Sequence, residues 1–220
     1  MSKETVKLYV WKVRARAVPL ALWSMAFDRR RVGRTASFAK LLGTGRGSEF
    51  GVGAADLTRW AALIVADDAP PPPMRGAVTQ CTITLETIAS RGTWAGKSPF
   101  VGQSRGKPDG MIAVLTRARL SARQAPAFWK AIDPVARDLR QAPGLLCAFG
   151  VGEAPVGFQG TVSLWRAAAD VAQFAYRRAE HAAVVDRTAR QGWYAEELFA
   201  RFRVLDIDGD RGVIGWRDGQ

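Results

Sequence analysis

Histidine and cysteine, the residues most able to bind metals, are scarce in this sequence. There is one histidine, His181, and there are two cysteines, Cys81 and Cys147. A structural zinc site needs four Cys or His ligands, and a non-haem iron facial triad needs two histidines. Neither can be built within this chain, whereas a haem needs a single axial histidine. Two isolated cysteines predict reduced, buried thiols in a cytosolic protein and not a disulfide framework.

The surroundings of His181 allow two interpretations. At helical spacing it shares a face with Val184 and Val185, and Arg178 lies about one turn earlier. An ordinary half-buried histidine is the interpretation that these residues favour on their own. The alternative is the proximal ligand of a haem, with apolar side chains lining the macrocycle and arginines pairing with its propionates.

Aromatic residues are concentrated in the second half of the chain. They are Phe149, Phe158, Trp165, Phe174, Trp193, Phe199 and Phe202. A large planar cofactor or an apolar substrate would require such a lining, and an ordinary hydrophobic core would contain one as well.

Several other catalytic or nucleotide-binding patterns fail on spacing. Residues 92–98 resemble a phosphate-binding loop, but three residues separate the glycines where four are needed, and Pro99 follows. Residues 43–47 lack the third glycine of a dinucleotide site, so both segments are expected to be turns. No Gly-x-Ser-x-Gly elbow occurs. Glu196 and Glu197 are expected to be solvated.

The formal net charge of +12 favours polyanions in general. No recognised nucleic-acid motif accompanies the charge, so no specific nucleic-acid partner is expected. The longest nearly apolar segment, residues 17–27, contains Pro19 and is shorter than the about 20 residues that span a bilayer. It is predicted to be an amphipathic helix on the protein body.

The elements that must position these residues follow the same order in both halves. In the first half, strands are predicted at 5–14, 59–66 and 79–88, a helix from Pro19 to about Arg30, a glycine-rich connection at 43–47 and a linker at 92–110. In the second half, strands are predicted at 111–120, 145–151, 160–166 and 198–207, and helices at 121–141 and 170–190.

The repeated order predicts an α+β fold of duplicated ferredoxin-like modules, with two antiparallel sheets and helices packed outside. The glycine-rich residues 42–45 echo residues 149–152. The modules are placed at 1–105 and 106–220. In the first, residues 67–78 with their proline run replace the second helix.

Six segments spread over most of the chain resemble the spheroidene monooxygenase family of carotenoid ketolases. They are KLLGTGRG (40–47), GTWAGKSPF (92–100), LTRA (115–118), GEAP (152–155), QGTVSLW (159–165) and the block from His181 to GWYAEELFARF (192–202). That family is similar to the dimeric α/β-barrel haem proteins and is understood to use haem and dioxygen. The 67–78 segment departs from the family pattern, in the half without the histidine.

The resemblance implies a monooxygenase that contains haem b and acts on a lipophilic, carotenoid-like substrate, with His181 as axial iron ligand. Arg117, Gln159 and Ser163 are the candidate catalytic residues. The candidate haem-binding residues are His181, Arg178, Arg201, Thr161, Trp165, Phe149 and Val185. Thr161, Ser163 and Trp165 are spaced two apart, which places them on one strand face.

Two other functions stay open at this point. The same scaffold with haem suits an aldoxime dehydratase-like or peroxidase-like enzyme, and without haem it suits an α/β-barrel binding module. The expected location is cytoplasmic, with a peripheral contact to an anionic membrane on the inner face and a homo-oligomeric state as further expectations. The electron donor is not indicated.

Overall fold

Strands dominate the protein in the computed structural model, which describes residues 5–28, 32–34, 36–46, 55–66, 71–100, 109–120, 136–153, 160–177 and 194–217. The strands are β1 Thr5–Val13, β2 Phe38–Gly45, β3 Ala55–Ala66, β4 Ala77–Gly92, β5 Ile112–Leu120, β6 Leu145–Gly152, β7 Gly160–Trp165 and β8 Tyr194–Gly209. The helices are α1 Val18–Phe27 and α2 Ala168–Arg177, with short 3-10 helices at Ala15–Ala17 and Arg211–Ile214. Residues 136–140 are also helical.

All eight strands form one closed antiparallel barrel in the order β1-β3-β2-β6-β7-β5-β8-β4. The sequence predicts two sheets, and the structure differs because two seams join the halves. One seam is long and pairs β4 with β8 from Cys81↔Gly209 to Gly92↔Leu198. The other seam pairs β2 with β6 through Gly43↔Gly152 and Thr44↔Val151.

Alternating side chains divide each strand between the barrel interior and an outer layer. In β1, Val6, Leu8 and Val10 belong to the interior cluster, whereas Tyr9 and Trp11 belong to an outer cluster. An eight-stranded barrel is just wide enough for side chains to fill. The interior here is filled by fully buried residues from every strand, so it is a packed core.

Helices cover the outer faces. Pro19 sits in the first turn of α1, where its missing N–H costs no hydrogen bond. The helix packs Ala21 against the outer cluster of the first half. In the second half, Val171 of α2 and Leu139 of the helical residues 136–140 pack against Trp165 of β7.

Most predicted elements are present, with shifted ends. The main difference is at Gly43–Gly45, predicted as a turn, which forms the last part of β2. Glycine in a strand permits close approach of another backbone. Gly43 pairs with Gly152 in the seam between β2 and β6, and the register of β2 against β3 shifts just after Gly43. Residues 71–76, within the segment predicted to replace a helix, contain no helix. The predicted helical residues 121–135 and 178–190 lie outside the described residues.

Both cysteines are free and buried, which confirms the prediction of buried thiols. Burial raises the pKa of Cys81 to about 11 and that of Cys147 to about 12, so both thiols stay protonated at neutral pH. In the part of the chain that the structure describes, no helix combines the length and the apolar character needed to cross a bilayer.

Candidate functional site on the outer face of the second half

The outer face of β5, β7 and β8, next to α2, brings several predicted site residues together. In β7, Val162 and Leu164 point into the barrel core, so Thr161, Ser163 and Trp165 face outward together. This confirms that the three share one strand face.

Trp165 anchors this face to the helical layer. Its ring lies 5.3 Å from that of Phe174 in α2. Its indole Nε1 donates a 2.9 Å hydrogen bond to Ser163 Oγ. Trp165 is 2% exposed and Ser163 is 6% exposed, so both positions are fixed by packing.

Arg201 lies on the same outer face. It is paired in register with Val114 of β5, whose side chain belongs to the outer cluster with Trp165. Its guanidinium lies 6.0 Å from the Phe199 ring centroid and is exposed. Two positions further along β8, Arg203 forms a 3.2 Å ion pair with the buried Glu86 of β4.

The face is only partly covered. Thr161 and Phe199 are half-buried, and Thr116 of β5 is exposed. The surface is therefore open to solvent in part. It is bordered by apolar side chains, by the Ser163 hydroxyl, whose oxygen accepts from the Trp165 indole, and by the exposed guanidinium of Arg201. These features fit a large planar apolar ligand that carries acidic groups at one edge, as a haem does.

Four predicted site residues lie outside the described residues: Gln159, Arg178, His181 and Val185. The structure does not place their side chains. In the sequence, His181 follows the end of α2 at Arg177 by four positions.

Arg117 and Phe149 lie apart from this face, inside the barrel. Phe149 is fully buried in the interior cluster, with the Arg59 guanidinium 5.3 Å from its ring centroid. Arg117 is 5% exposed and lies opposite Leu198, which is an interior residue. The structure thus separates these two residues from Ser163 and Trp165.

Arg117 holds two carboxylates at one end of the barrel. Its Nη1 donates to Glu196 at 2.7 Å, and its Nη2 donates to Glu153 at 3.2 Å. Lys40 of β2 donates to the other oxygen of Glu153 at 3.2 Å. The Trp94 indole also donates to Glu153, and the Arg117 guanidinium lies 4.9 Å from the Trp94 ring centroid. We call these five residues the charged cluster.

Glu196 also fixes the turn at Trp94–Lys97, within the segment that resembles a phosphate loop. The Gly96 N–H donates to Glu196 Oε1 at 2.8 Å, and the Thr93 hydroxyl donates to it at 3.1 Å. An internal carboxylate, and not a phosphate, thus accepts from this turn. Burial alone would raise the pKa of Glu196, but these donors and Arg117 outweigh it and lower that pKa to about 2.

Glu153 is affected in the same direction. Burial would raise its pKa, and the donors Trp94 and Lys40 lower it overall. Both carboxylates are therefore ionised at neutral pH, and they balance the two cations Lys40 and Arg117.

Neither acidic residue of the charged cluster is predicted by the sequence pattern as part of a site. The expectation that Glu196 is solvated is wrong, since the side chain is 12% exposed and paired with Arg117. A signal was present: Glu196 lies two positions before Leu198, and the inward alternation of Leu198, Ala200 and Phe202 extends back to it. No comparable pattern marks Glu153, which lies just after β6.

Comparisons with known proteins find relatives that are named spheroidene monooxygenase. It is 32% identical to the spheroidene monooxygenase of Rubrivivax gelatinosus over 185 residues, which cover 79% of this chain and 71% of that protein. It is 32% identical to the spheroidene monooxygenase of Rhodobacter capsulatus over 135 residues, or 60% of this chain and 56% of that protein. The chain thus spans little more than half of the latter. No family model matches the sequence.

Solved structures of low sequence identity share the fold. An aldoxime dehydratase crystallised with butyraldoxime aligns with a TM-score of 0.57 at 10% identity, covering 99% of this chain and 87% of that one. A second aldoxime dehydratase aligns with a TM-score of 0.52 at 11% identity, covering 93% of this chain and 82% of that one. The fold likeness agrees with an α+β barrel, and the sequence matches show that the chain belongs to the spheroidene monooxygenase family.

Proposed function

We propose that this chain is a haem-dependent monooxygenase that acts on a lipophilic, carotenoid-like substrate with dioxygen, and that His181 is the axial iron ligand. Membership of the family supports the reaction class. The observation that carries the proposal is the partly covered outer face beside α2, because the barrel interior is packed and His181 follows α2 in the sequence. When bound, a haem would supply the activation of dioxygen.

Ser163 is proposed as a polar donor on the wall of this site. Its oxygen accepts from the Trp165 indole, so its own proton remains available for another acceptor. Gln159, one residue before β7, is proposed to act beside it. Thr161 and Val185 are proposed to line the cofactor, and the buried ring of Trp165 is proposed to support this wall from behind by holding Ser163 and α2 in place.

Arg201 is proposed to bind the acidic edge of the cofactor. Arg203 is paired with Glu86, whereas Arg201 has no ion-pair partner among the described residues. An exposed guanidinium at the border of an apolar face suits a bidentate contact with a propionate. Arg178 is proposed for the second propionate.

Arg117 and Phe149 are proposed to act through the barrel and not at the cofactor. Both nitrogen termini of Arg117 are already bound to carboxylates, and Phe149 is fully buried in the interior core. Their proposed role is to hold the strands that carry the site.

The barrel is proposed to consist of two related modules, at residues 1–105 and 106–220. The strand order β4-β1-β3-β2 of the first half recurs as β8-β5-β7-β6 in the second. This equivalence supports a duplicated ferredoxin-like origin. The second module carries the candidate site.

The test is the absorption spectrum of the full chain expressed with abundant haem. We expect a Soret band that His181→Ala weakens or shifts, because the variant loses the axial nitrogen. Addition of free imidazole to His181→Gly should restore the parent spectrum. Leu205→Gln, an exposed position on β8, is the control and should leave the band unchanged.

Two spectral outcomes contradict the proposal. An unchanged band in His181→Ala removes that residue as the ligand, and the absence of any band in the parent removes haem. Turnover of an acyclic carotenoid, measured beside consumption of an aldoxime with the same preparation, distinguishes oxygenation from dehydration. Consumption of the aldoxime alone would replace the proposed reaction with the alternative.

A further inference from the structure

The outward surface of α1 is entirely apolar. Its exposed residues are Pro19, Leu20, Leu22, Trp23, Ala26 and Phe27. They occupy one continuous arc of the helix, while Ser24, its one polar residue, is 1% exposed and faces the barrel. A soluble helix normally has the opposite arrangement, with polar residues outward.

Two aromatic residues form the centre of this surface. Trp23 is 45% exposed and Phe27 is 63% exposed, with ring centroids 4.9 Å apart. Leu20, 53% exposed, lies one turn before Trp23 on the same side of the helix. Large side chains exposed together in one patch mark an interaction surface, whereas scattered ones do not.

Basic residues flank α1 in the sequence, and one of them contacts the patch. Arg14 and Arg16 precede α1 and Arg34 follows it, and all three are exposed. The Arg75 guanidinium lies 4.4 Å from the Trp23 ring centroid, and the Arg75 N–H donates to Ser24 Oγ at 3.3 Å. Asp28 is the one acidic residue between positions 5 and 46 of the sequence.

We propose that α1 docks this protein on an anionic membrane surface, with Leu20, Trp23 and Phe27 entering the headgroup region and the arginines contacting acidic lipid headgroups. An apolar helix face with a basic border has this partner chemistry, and tryptophan favours the membrane interface. At ten residues, α1 has half of the about 20 needed to span, so it lies in the surface.

The charge distinguishes this partner from a second copy of the chain. A two-fold contact through α1 would place the same patch of both subunits face to face. The arginines at its border would then face one another, which opposes association. Anionic headgroups neutralise the same residues, so each basic side chain near such a surface favours binding.

Vesicle flotation of the full chain tests the proposal. Vesicles of phosphatidylcholine alone are compared with vesicles of phosphatidylcholine and phosphatidylglycerol. We expect binding to the anionic vesicles, weaker binding to the neutral ones, and a loss on raising the salt concentration. Trp23→Gln combined with Phe27→Gln should lower the partition coefficient at least tenfold.

Leu205→Gln is the matched control, since it removes a similarly exposed apolar side chain from β8 and should bind as the parent does. Circular dichroism checks that the double variant is folded, and Leu20→Gln alone provides a milder change with the same expected direction. Arg14→Gln with Arg16→Gln should reduce the preference for anionic vesicles while leaving neutral binding unchanged.

Three outcomes overturn the proposal. The parent binds neither vesicle; the double variant binds as the parent does; or the parent is a dimer without lipid that the double variant converts to a monomer. None of these outcomes depends on the Soret band, so this surface and the proposed haem function can fail separately.

Discussion

At the scale of single residues, the charged cluster shows how ionised side chains inside a barrel are paired. Arg117, Lys40, Glu153 and Glu196 bring equal positive and negative charge to one end of the barrel, and each carboxylate receives several donors. Removal of one member leaves an unequal charge and fewer hydrogen bonds for its former partners in a largely buried site, which costs free energy. The cluster therefore acts as one structural unit.

The pKa of Glu196 makes that unit sensitive to acid. It is about 2 in the folded chain, against an ordinary value of 4.5. The unfolded chain thus binds more protons in this interval, so the free energy of unfolding falls as the pH is lowered from 4.5 toward 2. Glu196→Gln should lower stability by about 2 kcal/mol at neutral pH and flatten this acid-dependent fall.

Urea denaturation at a series of pH values measures both effects. Glu197→Gln is the matched control, because its side chain is exposed at the next position of the same strand. We expect the control to retain the parent's acid-dependent fall. An equally steep fall in Glu196→Gln would contradict the assignment.

At the scale of elements, the end of β4 depends on a close backbone approach. Gly92 has φ of +86°, and a Cβ placed there would lie 2.1 Å from the carbonyl oxygen of Glu197 in β8. That oxygen accepts from the Thr93 N–H at 2.9 Å. Any side chain at position 92 would therefore push the end of β4 away from β8, just before the Trp94–Lys97 turn.

Gly92→Ala should therefore destabilise the protein by about 3 kcal/mol or more. Gly96→Ala provides the comparison: its φ is +70°, but a Cβ there meets no atom within 4 Å. It should cost only the left-handed backbone penalty of about 1 kcal/mol. Thermal unfolding of both variants measures the difference in stability. Equal losses of stability would show that the close approach at Gly92 does not add to the cost of a side chain there.

Strands whose apolar and polar residues alternate could be predicted from the sequence, but the strands with which they pair could not. Val6, Leu8 and Val10 marked β1 because burial on one face leaves a period of two. Gly43 was predicted in a turn because glycine carries no side-chain pattern, and its place in β2 depends on Gly152, distant in the chain. The same alternation placed Ser163 and Trp165 on one face. The position of Arg117 inside the barrel, bound to Glu153 and Glu196, could be predicted only from knowledge of which strands close the barrel.

At the scale of the whole molecule, barrel closure is uneven. The β4–β8 seam is long, but the β2–β6 seam contains two residue pairs. Lys40 of β2 and Glu153, the residue after β6, form a 3.2 Å ion pair beside the short seam. The ammonium also lies 5.7 Å from the Phe38 ring centroid. A partly buried ion pair thus links the two halves where few backbone pairings do so.

Lys40→Met should open the short seam locally without unfolding the barrel. It removes one charge-assisted hydrogen bond, worth about 1.5 kcal/mol, so the amides near Thr44 and Val151 should exchange with deuterium roughly tenfold faster. Amides of the β4–β8 seam should keep the parent's protection. Lys12→Met, at an exposed position of β1, should change neither seam. Uniform acceleration across both seams would instead mean that the ion pair stabilises the fold as a whole, because local opening and global unfolding differ in which amides they expose.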